Sequence, residues 1–377
     1  MRRWILLLFA LGLAALSLLA TFQAPDWLPW KIAVFVGEYG YYQIAVPGLL
    51  GLLAWRWRRD SRGVAAATLV LCVVFAAGLL KPSVQAWWIG RTLPDELERA
   101  FGRVELKRAP FSPAGFFRSW PAARVAVTHE YALGLGLDFF RAEGRGGSPA
   151  PCVIVVHGGG WDSGDRGQVP QLNHWLADRG YAVATISYRL APKFQWPAPR
   201  EDLRAALAFL KAHARELGLD PTRLVLLGRS AGGQIVQTTG YTASDPAIRG
   251  VVALYAPSDL IFGYVNTHEN DALKSPTLMR QYLGGPPDTA RANYESASAY
   301  RHVRASVPPT LLLHGRIDSL AWYRHSVRLD GRLTEHQVPH AFVLLPWATH
   351  AFEYNLRGPG GQLTTFALEW FLAAVTR

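Results

Sequence analysis

Three short stretches of this chain hold residues that could do chemistry together. Gly228-Arg229-Ser230-Ala231-Gly232-Gly233 follows the apolar run Leu224–Leu227 and opens a helical stretch. A serine between small residues at a strand-to-helix turn is exposed as a nucleophile, and the helix behind it aims free N–H groups and a positive dipole end at the reacting centre. His157-Gly158-Gly159-Gly160-Trp161 follows a second apolar run, CVIVV. Successive glycines let backbone N–H groups approach a developing oxyanion. Gly159 and Gly160 are the expected donors, joined by the N–H of Ala231. No Lys-Ser/Thr pair follows the glycines, so a Walker-type phosphate loop is not supported.

A serine hydroxyl needs a base, usually a histidine held by a carboxylate. Asp318 lies in His314-Gly315-Arg316-Ile317-Asp318 after the run TLLL, and His350 in Trp347-Ala348-Thr349-His350 after the run FVLL. The order Ser230, Asp318, His350 suits a serine enzyme built on a parallel sheet. His340 is the rival base, although it precedes the last strand, and Asp259 is the rival acid. His314 reads as structural.

The elements that must position these residues alternate. Two early antiparallel strands are expected at Arg124–His129 and Gly136–Arg141. Strands at 152–156, 181–186, 223–227, 251–255, 310–313 and 342–345 then interleave with helices near 168–178, 200–217, 231–239 and 362–375. Such alternation predicts an α/β fold with a mostly parallel sheet covered on both faces, and ligands bind beyond the carboxyl ends of its strands. The candidate residues fall at those ends. The polar stretch 258–304, with scattered Pro and Gly, breaks the alternation and reads as a cap over the site.

The first ninety residues differ in kind. Trp4–Phe22, Tyr41–Trp57 and Val64–Leu80 are apolar enough to be read as three membrane spans, with tryptophans near their ends. Arg2, Arg3 and the cluster Arg56 to Arg62 mark the cytoplasmic side, and three crossings would put everything after Leu80 outside the cytoplasm. Residues 91–119 read as a linker and 120–377 as the catalytic domain. A cleaved signal peptide at the N-terminus is the competing reading.

The net charge of +11 is scattered through the catalytic part and interleaved with acids, which argues against nucleic acid as a partner. The chain has two cysteines, in different environments, and no Cys/His spacing for a metal. The expected chemistry needs no metal or organic cofactor. Nothing in the sequence speaks to oligomeric state.

Taken together, HGGGWDSGD from His157, SYRLAP from Ser187, Trp196-Pro197-Ala198-Pro199 with Asp202, GRSAGG from Gly228 and HGRID from His314 resemble the α/β-hydrolase superfamily. The resemblance is to hormone-sensitive-lipase-like esterases and to bacterial feruloyl or acetylxylan esterases, and it covers roughly residues 120–376. It implies Ser230 as nucleophile, Asp318 as acid and His350 as base, with Trp161 at the substrate site. It implies a small-molecule ester substrate; amide cleavage of the arylformamidase or peptidase kind and acyl transfer use the same triad. A catalytically silent binding protein anchored in the membrane is the alternative from another class. Arg229, where such enzymes often carry His, Asp or Glu, and Ala351 in place of Gly depart from the pattern.

Overall fold

The computed structural model describes residues 1–144 and 146–377. Eight strands form one sheet in the order β1-β2-β4-β3-β5-β6-β7-β8. They are β1 (Val127–Ala132), β2 (Leu135–Phe140), β3 (Ala150–Val156), β4 (Ala182–Ile186), β5 (Leu219–Arg229), β6 (Ile248–Leu254), β7 (Thr310–Gly315) and β8 (His340–Leu345). The β1 and β2 hairpin pairs antiparallel, β2 joins β4 antiparallel, and all remaining pairs are parallel.

The central strands are buried on both sides, which is why they read as continuous apolar runs. Alternation then sorts their residues between two cores. Cys152, Ile154, Val156, Leu224 and Leu226 face one core, and Val153, Val155, Val225 and Leu227 face the other.

The helices are α1 (Arg2–Ser17), α2 (Trp27–Tyr39), α3 (Ala45–Arg56), α4 (Arg62–Phe101), α5 (Pro170–Asp178), α6 (Ala198–Ala212), α7 (Ala214–Leu217), α8 (Ala231–Thr242), α9 (Leu260–Val265), α10 (Ser275–Leu283), α11 (Pro287–Ala297), α12 (Arg324–Glu335) and α13 (Pro359–Val375). The first core is closed by residues of α6, α8 and the cap helices α9–α11, and the second by α5, α13 and the end of α4. The stretch 258–304 is thus helical. Ser258 and Asp259 tie its start to α12, since the Ser258 hydroxyl donates to the His325 carbonyl at 2.7 Å.

The N-terminal region corrects one expectation. Among the described residues two helices, not three, are long and apolar enough to cross a membrane: Arg2–Ala20, which extends α1 by one tight turn, and α4. α3 has twelve residues and spans about 18 Å, short of the roughly 30 Å hydrocarbon core. The expected span Tyr41–Trp57 loses its beginning to the catalytic domain. Tyr41 stacks on Phe116 with ring centroids 3.8 Å apart and accepts a hydrogen bond from Asn355. α4 runs without interruption through the expected domain boundary at residue 90. Its last three turns bury Leu93 and Leu97 in the second core, so the apolar helix is packed into the catalytic domain at this point.

Glu38, near the end of α2, is the clasp of that assembly. Its carboxylate accepts from Trp347 Nε1 at 3.1 Å and the Gly360 amide at 2.8 Å, and its carbonyl accepts from Asn355 Nδ2 at 2.6 Å. Gly358 and Gly360 are required here, because a Cβ on either would fall within 2.7 Å of a Glu38 carboxylate oxygen. Burial raises the Glu38 pKa to about 8, against the smaller lowering effect of these hydrogen bonds. The docked state therefore holds a proton that the free side chain releases above its ordinary value of 4.5. The stability that this linkage adds is complete below pH 4.5 and is lost as pH rises toward 8. Thermal melts of the detergent-solubilised chain should fall by a few kcal/mol equivalent across that window. Glu38→Gln should flatten the dependence; an unchanged slope would mean that Glu38 is not its source.

Candidate active site

The three strand ends converge. β5 delivers Ser230, β7 delivers Asp318 and the loop after β8 delivers His350. Ser230 sits at φ 51°, ψ −120°, a conformation that a non-glycine residue rarely adopts and that functional turns store as strain. The turn is held by the Ser230 amide donating to the Leu254 carbonyl at 2.9 Å. Gly228 and Gly232 let the backbone pass: a Cβ on Gly232 would lie 2.3 Å from the carbonyl oxygens of Val156 and His157.

His350 Nδ1 lies 2.6 Å from Asp318 Oδ2. The other carboxylate oxygen accepts from the amides of Leu320 and Ala321 at 2.8 and 2.9 Å. His314 adds a contact at 3.4 Å and is itself fixed by Ser326 and the Ala321 carbonyl. Burial raises the pKa of Asp318, but the attraction of His350 and the hydrogen bonds from both histidines outweigh it and hold the carboxyl well below the usual carboxylate range. A buried anion is thus maintained against the His350 ring, the arrangement that orients an imidazole and stabilises its charged form.

The rivals are otherwise engaged. Asp259 caps α9 by accepting from the Phe262 amide and pairs with Arg328 at 2.8 Å. His340 faces Asp330 at 3.3 Å and the Val338 carbonyl at the start of β8.

The glycine run is set by its neighbours. The Gly158 amide donates to Gln168 Oε1 at 2.8 Å, whereas the amides of Gly159 and Gly160 donate to no protein acceptor among the described residues. The His157 ring stacks on Tyr188 at 4.3 Å and holds the run from below. Arg189 and Asp202 explain the SYRLAP stretch: the Arg189 amide and guanidinium both donate to the buried Asp202 carboxylate, at 2.8 and 2.7 Å.

Ser230 stands between two cavities. The first, about 60 Å³, is lined by Trp161, Ala231, Phe262, Met279, Trp322 and His325 among others. Trp161 is immobilised in its wall, stacked on Tyr282 at 4.6 Å and donating to Gln234 at 3.0 Å. Burial drives the His325 pKa down to about 3, which keeps this wall neutral. The second cavity, about 380 Å³, contains Gly159, Gly160, Ser230 and His350 on one side and Trp27 and Trp30 of α2 on the other.

Several of these residues were not singled out from sequence. Trp27 and Trp30 lie some two hundred residues from Ser230 in the chain, and the sequence reads them as tryptophans at the ends of membrane spans rather than as part of the site. Gln23 Nε2 donates to the Asp318 carbonyl at 3.1 Å, and Glu38 grips Trp347 and Asn355, which flank His350. The segment 23–38 is therefore fastened to both loops that carry Asp318 and His350. In the sequence Arg229 stands out only as a departure from the family pattern. It is fully buried, donates to Glu353 at 2.9 Å, and Glu353 also accepts from Tyr255 at 2.5 Å. Tyr255 lies under the His350 ring, with centroids 4.1 Å apart.

The BD-FAE family model matches residues 137–333, more than half of the chain, a range that includes Ser230 and Asp318 and ends before His350. The probable carboxylic ester hydrolase LipM of Mycobacterium tuberculosis is 28% identical over 380 residues, covering 92% of this chain and 86% of that protein. Esterase LipC of the same organism is 28% identical over 254 residues, 64% of this chain and 62% of that protein. Among solved structures, esterase B from Lactobacillus rhamnosis superposes with TM-score 0.60 at 20% identity, over 79% of this chain and 95% of that one. A bacterial heroin esterase superposes with TM-score 0.57 at 23% identity, over 64% of this chain and 80% of that one. The protein belongs to the BD-FAE family and is a carboxylic ester hydrolase of the α/β-hydrolase fold, with two apolar N-terminal helices built onto its catalytic domain.

Proposed function

We propose that Ser230, Asp318 and His350 are the catalytic triad of an esterase that removes short acyl groups, anchored in a membrane by α1 and α4. The single observation that carries the triad is the 2.6 Å bond between His350 and the buried Asp318 anion, on the wall of the cavity that Ser230 shares. His350 takes the hydroxyl proton as Ser230 attacks the ester carbonyl. The tetrahedral oxyanion is met by the amides of Gly159, Gly160 and Ala231. His350 then protonates the departing alcohol and activates water to release the acid.

The narrow cavity of about 60 Å³ beside Ser230, walled by Trp161, Phe262 and Met279, supports a short acyl group. The wider cavity of about 380 Å³ supports a larger alcohol part. Arg3 donates to the Asp60 carbonyl, which gathers Arg2, Arg3 and the Arg56–Arg62 cluster at one end of the apolar helices. We read that end as the cytoplasmic one under the positive-inside rule; α1 and α4 both run away from it, with α3 returning the chain between them, and this arrangement favours the outer side for the catalytic domain.

Turnover of a p-nitrophenyl ester series by the full chain tests the reading. Acetate and butyrate should exceed palmitate by roughly tenfold or more in kcat/KM, since a methylene chain with no room cannot enter. A membrane-impermeant fluorophosphonate should label intact cells. Absence of ester turnover with N-formylkynurenine hydrolysis in its place would move the assignment to an amidase; labelling only after lysis would reverse the topology.

A further inference from the structure

We propose that α2 lies in the headgroup region of the bilayer and seats the mouth of the active site there, so that the enzyme takes short-acyl esters of membrane-partitioned alcohols directly from the lipid. The proposal rests on the esterase reading above and names the alcohol half of its substrate.

The level of the membrane boundary follows from one contact. Gly63–Leu80 of α4 carries no charge, and Lys81 ends it. Lys81 Nζ donates to the Ala20 carbonyl at 3.0 Å and to Thr21 Oγ1 at 2.9 Å. The ends of both long apolar helices therefore stand at one height, and a lysine there is at home among headgroups. Trp87 and Trp88 follow within two turns, both about half exposed, as expected of an interfacial aromatic belt.

α2 begins six residues after Thr21, so it cannot stand far from that boundary. Its inner face, Ala33, Val36 and Glu38, is buried. Its outer face carries Leu28 at 66% and Phe35 at 52% exposure, with Lys31 between them at helical spacing. Apolar side chains flanking a cation on the open face of a helix suit a phospholipid surface. The patch is continuous with the apolar helices through Phe22, which is 61% exposed. Trp27 belongs to both surfaces: it is 41% exposed and also lines the cavity holding Ser230 and His350. A molecule leaving the lipid past Trp27 meets the wide cavity, and only its acyl end meets the narrow one.

The test uses the full chain in phosphatidylcholine vesicles and two acetates, hexadecyl acetate dissolved in the bilayer and water-soluble p-nitrophenyl acetate. Leu28 and Phe35 are outside the cavity wall. The double variant L28E/F35E should lower acetate release from the bilayer substrate by about tenfold or more, while soluble turnover stays within about twofold. Unchanged release from hexadecyl acetate would overturn the proposal. So would parallel loss of both activities with fluorophosphonate labelling retained. A second measurement is independent of that variant's folding. A nitrobenzoxadiazole dye on Leu28→Cys should be quenched by a lipid carrying a nitroxide headgroup and shielded from aqueous cobalt; the reverse pattern overturns the proposal, and this result decides if the double variant loses labelling. A wild-type chain that hydrolyses neither acetate defeats the esterase reading instead, and the dye still reports where α2 lies.

Discussion

Ser230→Ala should lower kcat by about 10⁴-fold or more, with little change in KM, and abolish fluorophosphonate labelling. The cavity that binds the ester is lined by many side chains and keeps its shape, so ground-state binding survives while the covalent route closes. Residual turnover should then come from the proposed oxyanion donors, the amides of Gly159, Gly160 and Ala231. Asp318→Asn falls nearly as far by a different path. It removes the buried anion and leaves the His350 ring facing an amide that does not hold the same tautomer. The double variant should be no worse than Ser230→Ala alone, because the two residues act as one unit. Additive losses would mean that Asp318 serves the fold rather than Ser230.

Much of this site was legible because the fold writes it locally. A buried parallel strand must be apolar, and the turn at its carboxyl end must be tight, so Leu224–Leu227 followed by Gly-Arg-Ser-Ala-Gly carries its own context. The same holds for Cys152–Val156 and the glycine run. The proposed acid and base, Asp318 and His350, rest in the sequence on chain order, whereas the partners that engage Asp259 and His340 lie on α12, where no local pattern announces them.

The cap was legible in part. α10 and α11 begin with Pro276 and Pro287 near their first positions, and Gly284 ends α10, which are ordinary helix start and stop signals. Their polarity and scattered Pro and Gly mark a cap in the sequence without marking its helices. The role of residues 23–43 was not legible. Glu38 meets Trp347 across 309 residues, and hydropathy counts Tyr41 as membrane although its hydroxyl and ring are claimed by Asn355 and Phe116. A window of composition cannot see a partner that folding brings from the other end of the chain.

The second large effect belongs to Arg229 and Glu353. Both are buried to within 1% of completely, and only one oxygen and one nitrogen of the pair meet at 2.9 Å. Among the described residues, Arg229 Nη1 and Nη2 and Glu353 Oε2 have no hydrogen-bond partner. An ion pair so incompletely satisfied returns little net stability for its desolvation, yet removal of either member strands a full charge in the core. Arg229→Met should therefore lower Tm of the detergent-solubilised chain by roughly 10 °C, the equivalent of about 3–5 kcal/mol. The paired replacement Arg229→Met with Glu353→Leu should recover most of that loss. Activity separates the structural from the positioning effect. Glu353 also holds the Tyr255 hydroxyl, and Tyr255 supports the His350 ring. The paired variant should regain Tm while kcat stays several-fold low and KM unchanged, because the ring that His350 rests on has lost its tether. Recovery of kcat together with Tm would show that Arg229 and Glu353 serve stability alone.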